Sequence, residues 1–173
     1  MNRNWQVSRT NPEYLKYISD KASISHVLAQ ILVNRGIKDF DSIKAFLSPS
    51  LDHVHDPFLL PDMRTAVERV KAAVQRKEKV FVHGDYDADG ITSTALLVSV
   101  FRGMGVETFY HIPNRITEGY GLSIRGIEKA KACSADLIIT VDCGISSKDE
   151  VSAAMSMGMD VIVTDHHVPP GDL

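Results

Sequence analysis

Apolar residues from position 79 onward fall in short unbroken runs separated by longer amphipathic stretches. KVFVH (79–83), VETFYHI (106–112), DLIITV (136–141) and DVIVT (160–164) are rich in β-branched and aromatic residues and too short for helices. Each predicts a strand. Helical sequence lies between them: from about Ile91 to Met104, closed by Gly103 and Gly105; from Ser123 to about Cys133; and a segment ending near Gly158. Ser147 and Glu150 open the last of these with capping-box spacing. Ahead of the first strand, Asp62 is placed to cap a helix with Met63, Ala66, Val67, Val70, Ala73 and Val74 on one face. Strand starts recur roughly every 25–30 residues, the repeat of βαβ units. VFV, LIITV and VIV suit strands covered on both faces. The expected fold is α/β, a parallel sheet with helices on both faces; strand order is not readable.

The front of the chain has a different pattern. Ile24, Val27, Leu28, Ile31 and Leu32 are spaced for one helical face, and Gly36 is placed to end that helix. A shorter segment follows around Phe40 to Leu47. SPSLDHVHDPFLLPD then reads as an extended linker. The expected organisation is a small helical appendage with its linker over residues 1–60, and the N-terminal part of the α/β domain over 61–173.

Composition narrows the class. The chain is 44% hydrophobic and 24% charged, as ordinary globular proteins are. No apolar run approaches the roughly 18–20 residues that span a bilayer, so a membrane is not an expected partner. The start, MNRNWQVSRTN, is polar and lacks the core of a secretory signal. Cys133 and Cys143 form no C-x-x-C pair, and such sparse usage fits a reducing cytoplasm.

The chemistry lies at the ends of the strands, where parallel sheets bind ligands. The first strand is followed by His83, Asp85, Asp87 and Asp89, and the second by Asn114 and Arg115. Asp142 follows the third, and Asp165, His166 and His167 follow the fourth. One aspartate after a strand is usually a helix cap, and one histidine is usually surface or satisfied core. Five aspartates gathered on one rim repel strongly unless a cation lies among them. Carboxylates with imidazoles and no thiolate favour Mn²⁺ or Mg²⁺. So many donors suit two ions roughly 3.5–4 Å apart, an arrangement that activates water and clamps a phosphoryl group. The implied reaction is hydrolysis of a phosphate ester or anhydride. The net charge of −3 argues weakly against nucleic acid, but setting aside the five aspartates as metal-bound turns it to +2.

Other motifs fail. DYDADG begins like a calcium loop, but Leu96 stands where that loop needs Glu. DADGI resembles the D-x-D-x-T of haloacid-dehalogenase phosphotransferases, but Ile91 replaces the threonine and the histidines are left unexplained. Arg115 is placed to meet a phosphate oxygen or to form a structural ion pair. Arg125, Lys129 and Lys131 read as a solvated helix face, and Tyr110 and Tyr120 read as packing residues rather than base-stacking ones.

Asp165-His166-His167 resembles the signature of the DHH phosphoesterase superfamily. HGDYDADGITS, PNR with EGYGL, VDCGI and VTDHHVP, in that order, resemble the RecJ family of bacterial single-strand-specific 5′→3′ DNA exonucleases. NRGIKDFDSIKAFLSP, DPFLLPDM and AVERV resemble the leading segment of that family, so the likeness covers about residues 25–170. The resemblance implies that His83, Asp87 and Asp142 hold one metal, and that Asp89, Asp142 and His166 hold the other. It implies that His167 faces the scissile phosphate and that Asp165 orients the histidines. Asp85 lies outside the superfamily's common spacing and is expected to support the site or add a RecJ-type contact. Asn114 and Arg115 are the candidate substrate contacts. DNA repair and recombination are the implied setting, with single-stranded DNA as substrate and single-strand-binding protein and helicases as partners. Related enzymes acting on short oligonucleotides, cyclic dinucleotides or pyrophosphate are the alternative, as is a non-catalytic replication scaffold. The family pattern also has a metal-binding aspartate on a later strand, whereas this sequence stops at Leu173. The expectation is therefore a fragment with an incomplete second metal site and little or no activity alone.

Overall fold

The structure is a computed structural model and describes residues 10–171. Two compact units divide the chain, Met1–Leu59 and Leu60–Leu173. The first contains α1 (Pro12–Ala22), α2 (His26–Asn34) and α3 (Phe40–Leu47), which close on Ile18, Ala29, Leu32 and Ile43. Helix α1 has no counterpart among the predicted elements. Asn11 caps it, with its side-chain oxygen accepting from the Glu13 and Tyr14 amides, and Pro12 starts it. Helix α2 buries Ala29, Leu32 and Val33, while Val27 and Ile31 are exposed. Of the expected apolar face, Ile24, Leu28 and Leu32 pack in this core and only Val27 and Ile31 do not. The helix is apolar on two sides, and only packing against α1 and α3 selects one of them. The stretch expected as extended linker holds two single 3-10 turns, Leu51–His53 and Pro57–Leu59.

The second unit runs α4 (Met63–Arg76), β1 (Val80–His83), α5 (Ala88–Gly103), β2 (Thr108–His111), α6 (Ile124–Ala132), β3 (Leu137–Val141), α7 (Lys148–Ser156) and β4 (Asp160–Thr164). The strands form one sheet in the order β2-β1-β3-β4, and every pairing is parallel. Side chains alternate across it. Val80, Val82, Leu137, Ile139 and Val141 pack with Ala73, Val98 and Phe101 on the α4–α5 side. Phe81 and Ile138 pack with Leu122, Ile127, Ala130 and Ala154 on the α6–α7 side. Central strands β1 and β3 are buried throughout, as their unbroken apolar runs predict. Strand β4 is only half-buried because it forms an edge of the sheet among the described residues. The chain runs from β1 to its neighbour β2 through α5 on one face, then back past β1 to β3 through α6 on the other. That reversal opens a crevice between the carboxyl ends of β1 and β3.

Two expected caps are absent. Asp62 adopts a left-handed conformation (φ 54°) and its side chain caps nothing. Ser147 does not cap α7 either; its hydroxyl instead accepts from the Leu122 amide at 3.3 Å, tying α7 to the loop before α6. Among the described residues no helix is long and apolar enough to cross a membrane.

Candidate metal centre

The loop from β1 into α5 decides where each acidic residue goes. Helix α5 begins at Ala88, three residues before the expected start, because Asp87 is its cap. One Asp87 oxygen accepts from the Asp89 and Gly90 amides at 3.0 and 3.1 Å. Gly90 lets the helix start close over the loop: a Cβ there would stand 2.5 Å from the Asp85 backbone. This tight turn buries Asp85 (3% exposed) and leaves Asp89 exposed on the first turn of α5. The three aspartates of DYDAD therefore occupy unlike environments despite their even spacing.

Asp142 enters from β3 with φ 61°, a left-handed conformation that Asp tolerates better than most residues. Its amide donates to Thr164 O (3.0 Å), which extends the β3–β4 pairing by one residue and fixes its carboxylate over the crevice. Asp165 leaves β4 with a side chain 1% exposed. One of its oxygens accepts from the Ile145 amide (3.0 Å), the other from the His167 amide (3.0 Å) and from His167 Nδ1 (2.7 Å). His166 Nε2 lies 3.0 Å from Asp142 Oδ1.

Two clusters result, each with donor atoms within 4.8 Å of one another: Asp85, Asp87 and Asp142, and Asp142, His166 and His167. Asp142 belongs to both. Burial, followed by repulsion from Asp87, raises the Asp142 carboxyl above its usual range. Burial also raises Asp85, and the Asp85 Oδ1 atom has no hydrogen-bond partner. Asp87 is held low chiefly by the Gly90 amide. Burial opposes the charge on Asp165, but the Ile145 and His167 amides outweigh it and hold that carboxyl low as well. Buried carboxylates this close, one with an orphaned oxygen, call for a cation, and the donor set of oxygens with imidazole nitrogens fits Mn²⁺ or Mg²⁺.

Two expected ligands lie outside both clusters. His83 is the last residue of β1 and alternates onto the α6 side with Phe81. It is fully buried, with Nε2 3.1 Å from Gly121 O and its ring edge-on to His111. A Cβ on Gly126 would come within 2.5 Å of His83 Nδ1, so α6 packs directly on the ring. Burial lowers its pKa to about 4, so the ring is neutral. Asp89 is the second; its side chain stands on the open turn of α5. Conversely, Asp85 joins the carboxylates, and His167, expected to face substrate only, stands with Asp142 and His166.

The loop after β2 frames the crevice. Asn114 Oδ1 accepts from the Ile116 and Thr117 amides and so caps a turn. Arg115 is exposed, with its guanidinium 5.2 Å from the Tyr86 ring centre. Glu118, with a side chain 6% exposed, bridges His111 Nε2 (2.7 Å), the Asn114 amide (3.2 Å) and Arg125 (3.7 Å). Lys129 contacts the same His111 ring at 3.0 Å. Arg125, Lys129 and Lys131 are all exposed, as a solvated helix face requires, and the first two also reach this Glu118–His111 cluster. Tyr120, expected from sequence as a packing residue, has its hydroxyl 2.8 Å from His167 Nδ1. Its one available signal was its position, on the rim segment between two glycines.

An open parallel α/β sheet with carboxylates and imidazoles converging at its switch point defines a candidate metal-centred α/β domain. Residues 79–173 match the family described as "DHH family, N-terminal domain". The chain belongs to the DHH family. It is 36% identical over 169 residues to the single-stranded-DNA-specific exonuclease RecJ of Bacillus subtilis, a match covering 98% of this chain and 22% of that protein. A crystal structure of exonuclease RecJ bound to manganese aligns with TM-score 0.59 and 40% identity, over 65% of this chain and 29% of the other. The structure of RecJ in complex with Mn²⁺ from Thermus thermophilus aligns with TM-score 0.66 and 29% identity, over 94% of this chain and 22% of the other. The chain thus spans about a quarter of the length of the relatives it matches.

Proposed function

We propose that this chain carries most of the metal-binding face of a single-strand-specific DNA exonuclease that releases nucleotides from the 5′ end. The observation that carries the reading is the sharing of buried Asp142 between two donor clusters. Asp85, Asp87 and Asp142 would hold one divalent cation, and Asp142, His166 and His167 a second. A bound Mn²⁺ or Mg²⁺ pair supplies a water made acidic near neutral pH and a charge clamp on phosphoryl oxygens. The chain's own residues do the rest. Asp87 lends one oxygen to the α5 cap, which fixes where its other oxygen points. Asp165 holds the Nδ1 proton of His167, which leaves Nε2 of that ring to face the crevice. Arg115, exposed on the rim, is placed to meet a substrate phosphate.

The substrate and polarity rest on the likeness to the RecJ exonucleases, as do single-strand-binding protein and helicase as partners. A reducing cytoplasm belongs to the same reading, with Cys133 and Cys143 as free thiols. The test has two arms. The first is calorimetric Mn²⁺ binding by the chain, which should be lost in Asp142→Asn. The second is product release from 5′-labelled single-stranded DNA, a dinucleotide and pyrophosphate, with protein in excess. Slow release of nucleotides from single-stranded DNA, abolished by chelator, is the expected outcome for a chain with an incomplete second site. Preference for pyrophosphate or the dinucleotide would overturn the substrate assignment, and absence of Mn²⁺ binding would overturn the metal centre.

A further inference from the structure

The Tyr120 hydroxyl stands between two members of the proposed centre. It lies 2.8 Å from His167 Nδ1 and 3.4 Å from the Asp142 carbonyl oxygen, so it touches residues that follow two different strands. Its ring meets the His167 ring edge-on, with centres 5.4 Å apart. The proton placement follows from the partners. Asp165 Oδ1, which also accepts from the His167 amide, lies 2.7 Å from Nδ1, so Nδ1 carries the proton. The Tyr120 oxygen then accepts from the same N–H, and its own proton is directed to the Asp142 carbonyl.

The residue is itself firmly set. Glu118, two positions before it, is bound by His111, the Asn114 amide and Arg125. Gly121, directly after it, has its carbonyl bound by His83. Gly119 and Gly121 adopt φ 79° and 97°, conformations that L side chains rarely take, and so turn the chain sharply on either side. His83 and His111, which stand outside the carboxylate clusters, thus anchor the segment that presents Tyr120.

We propose that Tyr120 is a positioning residue: a brace between the Asp142 turn and His167 that fixes the orientation of the His167 ring. This rests on the metal-centre reading above, in which His167 presents Nε2 to a cation. A brace set before the cation arrives lowers the ordering cost of binding, as hydrogen-bond partners of metal ligands commonly do.

Tyr120→Phe keeps the ring contact and removes only the oxygen. In the metal-free chain at fixed neutral pH, nitrogen-15 spectra of the His167 ring should show the Nδ1–H to Nε2–H ratio falling roughly 2- to 10-fold, the worth of one neutral hydrogen bond. Mn²⁺ affinity should fall by a similar factor, with the melting midpoint little changed. In a His167→Ala background, Tyr120→Phe should have no further effect on Mn²⁺ affinity. An unchanged tautomer ratio would overturn the brace, as would an equal loss of affinity with and without His167. If the unsubstituted chain binds no Mn²⁺, the metal-centre reading fails, and the metal-free tautomer ratio still decides the brace.

Discussion

Replacing Asp142 by Asn should stabilise the metal-free chain while destroying its response to metal. Asn is nearly the same size and tolerates the left-handed backbone at this position (φ 61°), so the turn survives. What changes is charge. Asp85 and Asp142 are both buried and present donor atoms within 4.8 Å of each other. At that 4.8 Å separation two full charges repel by about 3.5 kcal/mol at an effective dielectric of about 20, and by about 0.9 kcal/mol in bulk water. The lost pair with His166 offsets little, because that ring is 72% exposed. A net gain of about 1–2 kcal/mol, or about 2–8 °C in melting midpoint, is expected in chelator at neutral pH. The gain should depend on pH with a definite sign. The folded-state pKa of Asp142 is raised, so its penalty is present above that value and disappears as protonation completes below the unfolded value near 3.8. The difference between the two proteins should therefore shrink as pH falls toward that value. Saturating Mn²⁺ should raise the midpoint of the unsubstituted chain and leave that of Asp142→Asn unmoved. Melting curves in chelator and in Mn²⁺, repeated across pH, provide the assay. A lower midpoint for Asp142→Asn in chelator, or a difference that widens toward acid, would refute the electrostatic reasoning.

Gly126→Ala places a methyl group 2.5 Å from buried His83 Nδ1 and should cost about 1–3 kcal/mol of stability, read from the denaturant midpoint. Asp165→Asn removes an anion whose pKa is lowered in the fold. The stability it contributes is present above the unfolded value and lost as pH falls through the folded one. A deficit of about 1–2 kcal/mol at neutral pH should therefore close in acid, as pH-dependent melting would show. Arg115→Ala should weaken single-stranded DNA binding and lower its log–log salt slope by about 0.7, measured by fluorescence anisotropy across salt concentrations.

The strands were legible because each is an apolar run bounded by turn residues, and the two central ones are buried on both faces as such runs require. The α5 start was misjudged because Asp87 does two jobs. A carboxylate read only as a ligand is not read as a cap, yet the cap sets the helix boundary and thereby the fates of Asp85 and Asp89. Even spacing made those two look equivalent, and only the switch from strand to helix between them separates a buried donor from an exposed one. His83 lies outside the clusters for a related reason: motif spacing places it near the acids, but strand alternation carries its ring to the α6 side. Helix α1 escaped notice because charged residues interrupt its buried positions, although Asn11 and Pro12 mark its start. Tyr120 carries no chemical signature of its own; its contact with His167 joins residues 47 positions apart and exists only in the fold.

The central claim is that a divalent cation binds where Asp142 joins the two clusters, and an anomalous difference map from crystals of this chain grown with Mn²⁺ tests it most directly. The account predicts a peak among Asp85, Asp87 and Asp142, or between Asp142, His166 and His167, that is absent from Asp142→Asn crystals. A map with no peak at these carboxylates, or a peak beside His83 instead, would contradict it.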